Sequence, residues 1–358
     1  MPKISTYNTT TPKLDDKLIG TDVDNNKATK NFTIADIIAL APGGSSSVQS
    51  LNSLVGDLNV VAGNAGITVT TNGSNEIVIT NAATGGNYLE DVFVTGGVAQ
   101  LGVILTVPEG AVSLTDSFAL QAKIIEVSFP STLTSTSSAS FQDNLLTEVD
   151  INNITSVGDS SFTFNRYLNT LNLRSVQTIG QSAFAVSGAL GNGFDLVFPS
   201  TLMSIGASAF SASKINSVTF DAANQVTNLE NSLFNNASGF TSITLPSNLV
   251  TIGGSTFFNT DLTSIIVPNS VTSIGDRAFE GNPLTLAVIN NGTIGDYAFA
   301  NITTLTSLTL SSGVTSIGQQ TFNNLGITTV TIPSTVTSMG NAAFGFNDAI
   351  TSAIISST

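Results

Sequence analysis

Aspartate and glutamate carry most of what this chain could offer to acid–base or metal chemistry. None of its 358 residues is histidine, cysteine or tryptophan. Without histidine the usual general base and the commonest metal ligand are both missing, and a Ser–His triad is excluded. Without cysteine there are no disulfides or thiolate metal sites, and the redox compartment cannot be read. Three of the acids, Asp159, Asp276 and Asp296, occupy one equivalent position in a recurring phrase and should form an exposed column. The simplest reading of that column is a solvated edge, with a cation or sugar site as the lesser alternative. Glycoside cleavage needs two carboxylates across one cleft, and Asp195, Asp221, Glu230, Asp261 and Glu280 are scattered. The run Asp22 to Asn26 starts like a calcium loop, but Lys27 stands where glycine is needed and Thr33 where the bidentate glutamate belongs. The expectation is a protein without catalytic residues, cofactor or metal. Arginine and aromatic residues are the usual binding anchors. Arg166, Tyr167, Lys214, Arg277 and Tyr297 are the contact candidates, because they depart from the inward apolar pattern or lie near its irregularities. Arg174, Phe194, Phe258 and Phe346 share that trait, and so does Phe240, which is expected in the core.

What must position these residues is the phrase itself. TSIGDRAF (Thr272 to Phe279) returns as TSVGDSSF, QTIGQSAF, MSIGASAF, VTIGGSTF, GTIGDYAF, TSIGQQTF and TSMGNAAF, with weaker copies TSTSSASF and TNLENSLF. From Phe141 to Phe344 the closing phenylalanines make nine steps in 203 residues, a mean of about 22.6, within the range of stacked solenoids. Each copy follows a strand-like run ending in proline, such as LTSIIVP (Leu262 to Pro268), where proline closes the strand because it cannot donate to a ladder. Apolar residues two to five apart (Phe240, Ile243, Leu245, Leu249, Ile252, Phe257) fit a coil turning several times around its core. The glycine after each isoleucine predicts a corner with either a positive φ or a close backbone approach. Glu230 replaces that glycine once and predicts a locally different corner. Surface bulges are expected near Gly188–Phe194 and Asp221–Gln225.

The pattern L-xx-I-x-I-P-xx-V-xx-I-G-xx-A-F resembles the BspA-like class of leucine-rich repeats, from about Phe118 to the C-terminus. The resemblance implies a right-handed solenoid of about ten coils, mainly β, with strands on one face and short extended or helical turns on the other. It also implies a recognition surface rather than a catalyst.

Charged residues make up only 9% of the chain, and the net charge is −14. Residues 1–30 contribute +1, from five lysines and four aspartates, so the rest carries −15. An acidic solenoid does not track phosphates, which argues against nucleic acid; the charge serves solubility. No stretch approaches the roughly 20 apolar residues of a membrane span, and the N-terminal residues do not read as a secretory signal.

The segment Lys13 to Leu40 resembles the leading segment of phage fibre and appendage proteins, with its core at Gly20 to Thr33. The resemblance implies attachment to virion proteins (portal, capsid or tail) through Leu18, Ile19, Gly20, Thr21, Asp22, Asn31, Phe32 and Thr33. A flexible link follows (Ala41 to Val48), then a hairpin signal in GITVTT and EIVIT around Asn72 to Asn75. The run Val48 to Thr80 is similar to phage-fibre elements that knit three chains into a short β shaft. The organisation expected is a virion anchor at 1–40, a linker and trimeric β connector at 41–85, a solenoid cap at 86–130, and the repeat solenoid at 131–358. The last residues, Ala349 to Thr358, stop part-way through a coil, and their edge is expected to be short or covered by a neighbouring chain. The function implied is that of a phage structural fibre on the virion surface, a homotrimer adhering to a host-surface protein or glycan. Arg166, Tyr167, Lys214, Arg277 and Tyr297 are the candidates for its receptor contacts. A bacterial surface adhesin, a polysaccharide depolymerase and a non-binding decoration protein are the competing readings.

Overall fold

The computed structural model describes the backbone of the strands Ile67–Thr71 and Ile77–Asn81, and residues 103–356 except 108 and 115. The expected virion anchor, with Leu18 to Thr33 and the calcium-like run, lies outside the described residues. What is described is an all-β, right-handed solenoid of about eleven turns, with no helix among the described residues.

One coil shows why the sequence winds this way. Leu262 points inward, and the strand Ser264–Val267 then alternates, burying Ile265 and Val267 and exposing Ile266. Pro268 stops the strand, and its carbonyl accepts the Val271 N–H at 3.1 Å, which turns the chain. Pro199, Pro246 and Pro333 make the same turn, also at 3.1 Å. A two-residue strand, Ser273–Ile274, leads to the glycine corner, and Phe279 closes the coil.

The glycines resolve the alternative left open by the sequence. The corner glycines Gly158, Gly180, Gly206, Gly253, Gly275, Gly295, Gly318 and Gly340 do not have positive φ. They are needed for close approach: a Cβ on Gly275 would lie 2.4 Å from the Gly254 nitrogen of the preceding coil. Positive φ falls instead on the residues two and six positions later, such as Ser255 (53°) and Asn259 (53°), or Tyr297 (57°) and Asn301 (60°). The left-handed conformation costs a non-glycine residue about 1–2 kcal/mol, and hydrogen bonding accounts for its persistence here. The N–H groups of Ser232, Phe234 and Asn236 reach carbonyls of the following coil, while those of Leu233, Asn235 and Ala237 bond three residues back. Alternate residues therefore serve the neighbouring coil and their own turn.

The closing phenylalanines form one column. From Phe141 to Phe344, successive rings stack with centroids 4.8–5.9 Å apart and planes within 23° of parallel. Rings at the coil spacing of about 4.8 Å exclude water from the core and gain aromatic contact on both faces. Phe194 and Phe240 are core residues as well, and Phe194 does not belong to the exposed bulge beside it.

Two features depart from uniform winding. The described part of the expected cap, from 103, is an additional coil of the same kind, which raises the expected ten coils to about eleven. Ser117 (56°) and Gln121 (55°) carry its positive φ, and Ala119 takes the phenylalanine position while Phe118 packs edge-on against Phe141 at 5.8 Å. Ahead of it, Ile77–Asn81 pairs in parallel with Val103–Thr106 and antiparallel with Ile67–Thr71, so the hairpin covers the first coil's strand edge. The second departure is at Glu230. The short-strand ladder breaks between Ser204–Ile205 and Asn228–Leu229, where glutamate replaces the corner glycine. On the other sides of that step the coils stay joined, through Phe194–Phe198 with Ile215–Phe220 and through the Ser208, Phe210 and Ala212 N–H groups.

Candidate binding surface

The acidic column is a structural ladder. The Asp159 Oδ1 accepts the Gln181 N–H at 2.7 Å, Asp276 Oδ1 that of Asp296 at 2.8 Å, and Asp296 Oδ1 that of Gln319 at 2.6 Å. Asn231 does the same for Gly254 at 2.7 Å. Each side chain satisfies a backbone donor of the next coil that would otherwise go unpaired at the corner. The same oxygens explain the next glycine: a Cβ on Gly295 would sit 2.5 Å from Asp276 Oδ1. Among the described residues no group of three or more acids is placed to hold a metal ion.

A second ladder, of amides, went unread in the sequence. Asn165 Nδ2 donates to the Phe141 and Phe162 carbonyls, Asn282 to Phe257 and Phe279, and Asn347 to Phe322 and Phe344, at 2.6–3.0 Å. Ser187 and Ser213 take this place in two coils. The signal was available as Phe-x-x-Asn, in which asparagine follows the closing phenylalanine by three.

The five contact candidates fall into two groups. Arg277 and Tyr297 stand in adjacent coils at the turn, with the guanidinium 4.9 Å from the ring centroid. Arg277 also pairs with Glu280 at 3.0 Å, and Glu280 accepts the Asn301 amide at 3.0 Å. This group is satisfied within itself. Arg166, Tyr167 and Lys214 meet around the bulge at 188–193: the Arg166 carbonyl accepts the Gly191 N–H at 3.1 Å, and Lys214 Nζ donates to the Gly191 carbonyl at 3.0 Å. Arg166 lies 5.1 Å from the Phe164 ring centroid, and Tyr167 is exposed.

A further surface is one that no single residue signalled. The outward positions of successive long strands are Ser217 and Thr219, Ser264 and Ile266, Leu286 and Val288, Ser307 and Thr309, then Thr329 and Thr331. None of these is charged, Ser217 borders Asp195 and donates its hydroxyl to that carboxylate at 2.6 Å, and the paired rows from Ser264 to Thr309 are separated by the strand spacing of about 4.8 Å. At its edge Thr263 and Thr285 donate their hydroxyls to carbonyls of the preceding coil, which fixes their rotamers.

The family model "BspA type leucine rich repeat region (6 copies)" matches residues 105–192, 192–285 and 284–358, more than two thirds of the chain. The chain belongs to this family. As a BspA-type leucine-rich repeat protein it is similar in structure to the pneumococcal vaccine antigen PcpA, with 17% identity over 85% of this chain and 82% of that one and a TM-score of 0.49. It is also similar to a leucine-rich cell surface protein from Faecalibacterium prausnitzii (19% identity, 83% and 94% covered, TM-score 0.38). A leucine-rich repeat protein from Bacteroides ovatus is a third (13% identity, 81% and 90% covered, TM-score 0.34). No curated protein matches the sequence.

Proposed function

We propose that this BspA-type repeat protein is a non-catalytic adhesive component of a phage particle, exposed on the virion. Residues 1–40 attach it to portal, capsid or tail proteins, residues 41–85 help hold three copies together, and the solenoid meets a host-surface protein or glycan. The observation carrying the adhesive part is the uncharged strand face from Ser217 to Thr331, rigid because every coil is bonded to both neighbours. Ordered hydroxyls and methyls suit many weak contacts, which three copies multiply into avidity. The virion part rests on the likeness of Gly20 to Thr33 to phage appendage proteins.

Binding of the labelled full chain to host cells, with and without Thr309→Lys and Thr331→Lys, tests the face. A loss of binding with unchanged circular dichroism supports it, and equal binding refutes it. Light scattering of the full chain should give three times the mass of one chain. A monomer absent from purified particles would favour the second reading, a bacterial surface adhesin, which family membership fits equally well.

A further inference from the structure

We infer that the bulge at 188–193 and the cations beside it form a site for a carboxylated sugar, such as a sialic or uronic acid in a surface glycan. The inference builds on the solenoid being a recognition surface and concerns a different part of it from the uncharged strand face.

The charge pattern singles out this corner. The sequence has 24 acidic and 10 basic residues, and five of the basic ones lie in the first 30 positions. Among the rest, Arg166 and Lys214 are brought to one place. Arg166 and Lys214 follow Asn165 and Ser213 at equivalent points of the amide and hydroxyl ladder, two coils apart. Two strand spacings separate their backbones by about 10 Å. In between sits the bulge, whose Gly191 is bonded from both sides, by the Arg166 carbonyl and the Lys214 ammonium. Neither cation has a carboxylate within ion-pair distance among the described residues, in contrast to Arg277 with Glu280. At the same corner farther along the solenoid stands Asp261, whose carboxylate accepts the Gly239 N–H at 2.7 Å. The positive charge is therefore local, in a chain that is otherwise acidic.

The surroundings favour a sugar over another anion. The Arg166 Cζ lies 5.1 Å from the Phe164 ring centroid, and a guanidinium that meets an aromatic ring rather than a carboxylate retains its N–H fork for a carboxylate ligand. Tyr167, 42% exposed, and Leu190 within the bulge, 62% exposed, offer ring and apolar surface. The exposed Asn192 has its N–H held by Asn169 Oδ1 at 3.0 Å, leaving its own side-chain amide for hydroxyl groups. Gly188 and Gly193 have φ of 68° and 78°, so the bulge adopts a backbone that side-chain-bearing residues would strain. A carboxylate bound by Arg166 and Lys214, with its ring against Tyr167, uses each of these features.

The test is a titration of the full chain with sialyllactose, lactose and a trigalacturonate with its methyl ester. A hexaglutamate peptide provides the protein arm. The result expected is binding of one or both acidic sugars at least tenfold tighter than that of lactose or the ester. That preference should disappear in Arg166→Gln/Lys214→Gln and weaken in Tyr167→Ala. Arg166→Lys, which keeps the charge but loses the fork, should fall between wild type and the double variant. Equal affinity for acid and neutral forms, or a preference surviving in the double variant with unchanged circular dichroism, overturns the site. Hexaglutamate binding as tightly as the sugars makes it an acidic-peptide site and overturns the sugar assignment. Thr309→Lys and Thr331→Lys lie away from this corner and should leave the titration unchanged, so failure of the strand face and failure of this site are read separately.

Discussion

Replacing Phe257 by alanine should remove more stability than the same truncation of Phe344 at the end of the column. The Phe257 ring is fully buried and lies between Phe234 at 5.5 Å and Phe279 at 5.2 Å. Truncating a core phenylalanine costs about 3–5 kcal/mol through lost transfer energy and the cavity left behind. Two stacked pairs account for about 1–3 kcal/mol of that loss. Phe344 has one ring neighbour in its column, Phe322 at 5.0 Å, and is only partly buried. Phe344→Ala should therefore cost about half as much, ~2 kcal/mol. Phe257→Leu keeps most of the apolar burial and loses the stacking, and should cost about 1–2 kcal/mol. Urea unfolding of the full chain, followed by far-ultraviolet circular dichroism, gives the order of the three variants. Hydrogen exchange locates the damage, because coils contact only their neighbours. Protection should fall in the coils of Phe234, Phe257 and Phe279 and persist around Phe141. Equal costs for Phe257→Ala and Phe344→Ala, or a uniform loss of protection along the chain, would show that the column does not act through adjacent rungs.

Other substitutions probe the remaining ladders. Gly275→Ala would force a Cβ to 2.4 Å from the Gly254 nitrogen, and thermal melting should show a loss of about 3 kcal/mol or more, as for other overpacked sites. Asn282→Leu leaves the Phe257 and Phe279 carbonyls without their amide donor and should cost about 2–4 kcal/mol in the same assay. Asp276→Ala frees the exposed Asp296 N–H to water and should cost only about 1 kcal/mol, while Asp276→Asn should be nearly neutral because the oxygen acceptor is retained. Near-neutral behaviour of Asp276→Ala in cell binding would agree with a structural rather than a ligand-holding column.

Much of this architecture was legible because a solenoid repeats its constraints. The isoleucine, the glycine and the phenylalanine of each phrase recur since each meets its own equivalent in the coils above and below. Phe279 against Phe257 and Phe299 is the same packing problem solved twice. The break at Glu230 was legible for the same reason, as an exception to the close approach that only glycine permits. Less legible was the division of labour at the corner. Sequence alone could not separate close approach from positive φ, and the strained positions fell on Ser255, Arg277 and Tyr297, whose residue types give no hint of it. The aspartates read as free carboxylates because their partner is a backbone N–H, which has no letter in the sequence. The meeting of Arg166 with Lys214 was hidden for a similar reason: 48 residues apart in sequence, they converge on Gly191 only after the chain has wound twice.

The broken ladder at Glu230 gives the rod a mechanical weak point. On the short-strand side all the other steps from Ser156–Val157 to Ser338–Met339 are laddered. Between Ser204–Ile205 and Asn228–Leu229 the short-strand side contributes no ladder, while the other two sides hold. A sideways pull on the tip therefore concentrates its curvature at that step, opening the unladdered corner as the long strands act as the pivot. Bending that opens the short-strand side is therefore localised between Ile205 and Asn228.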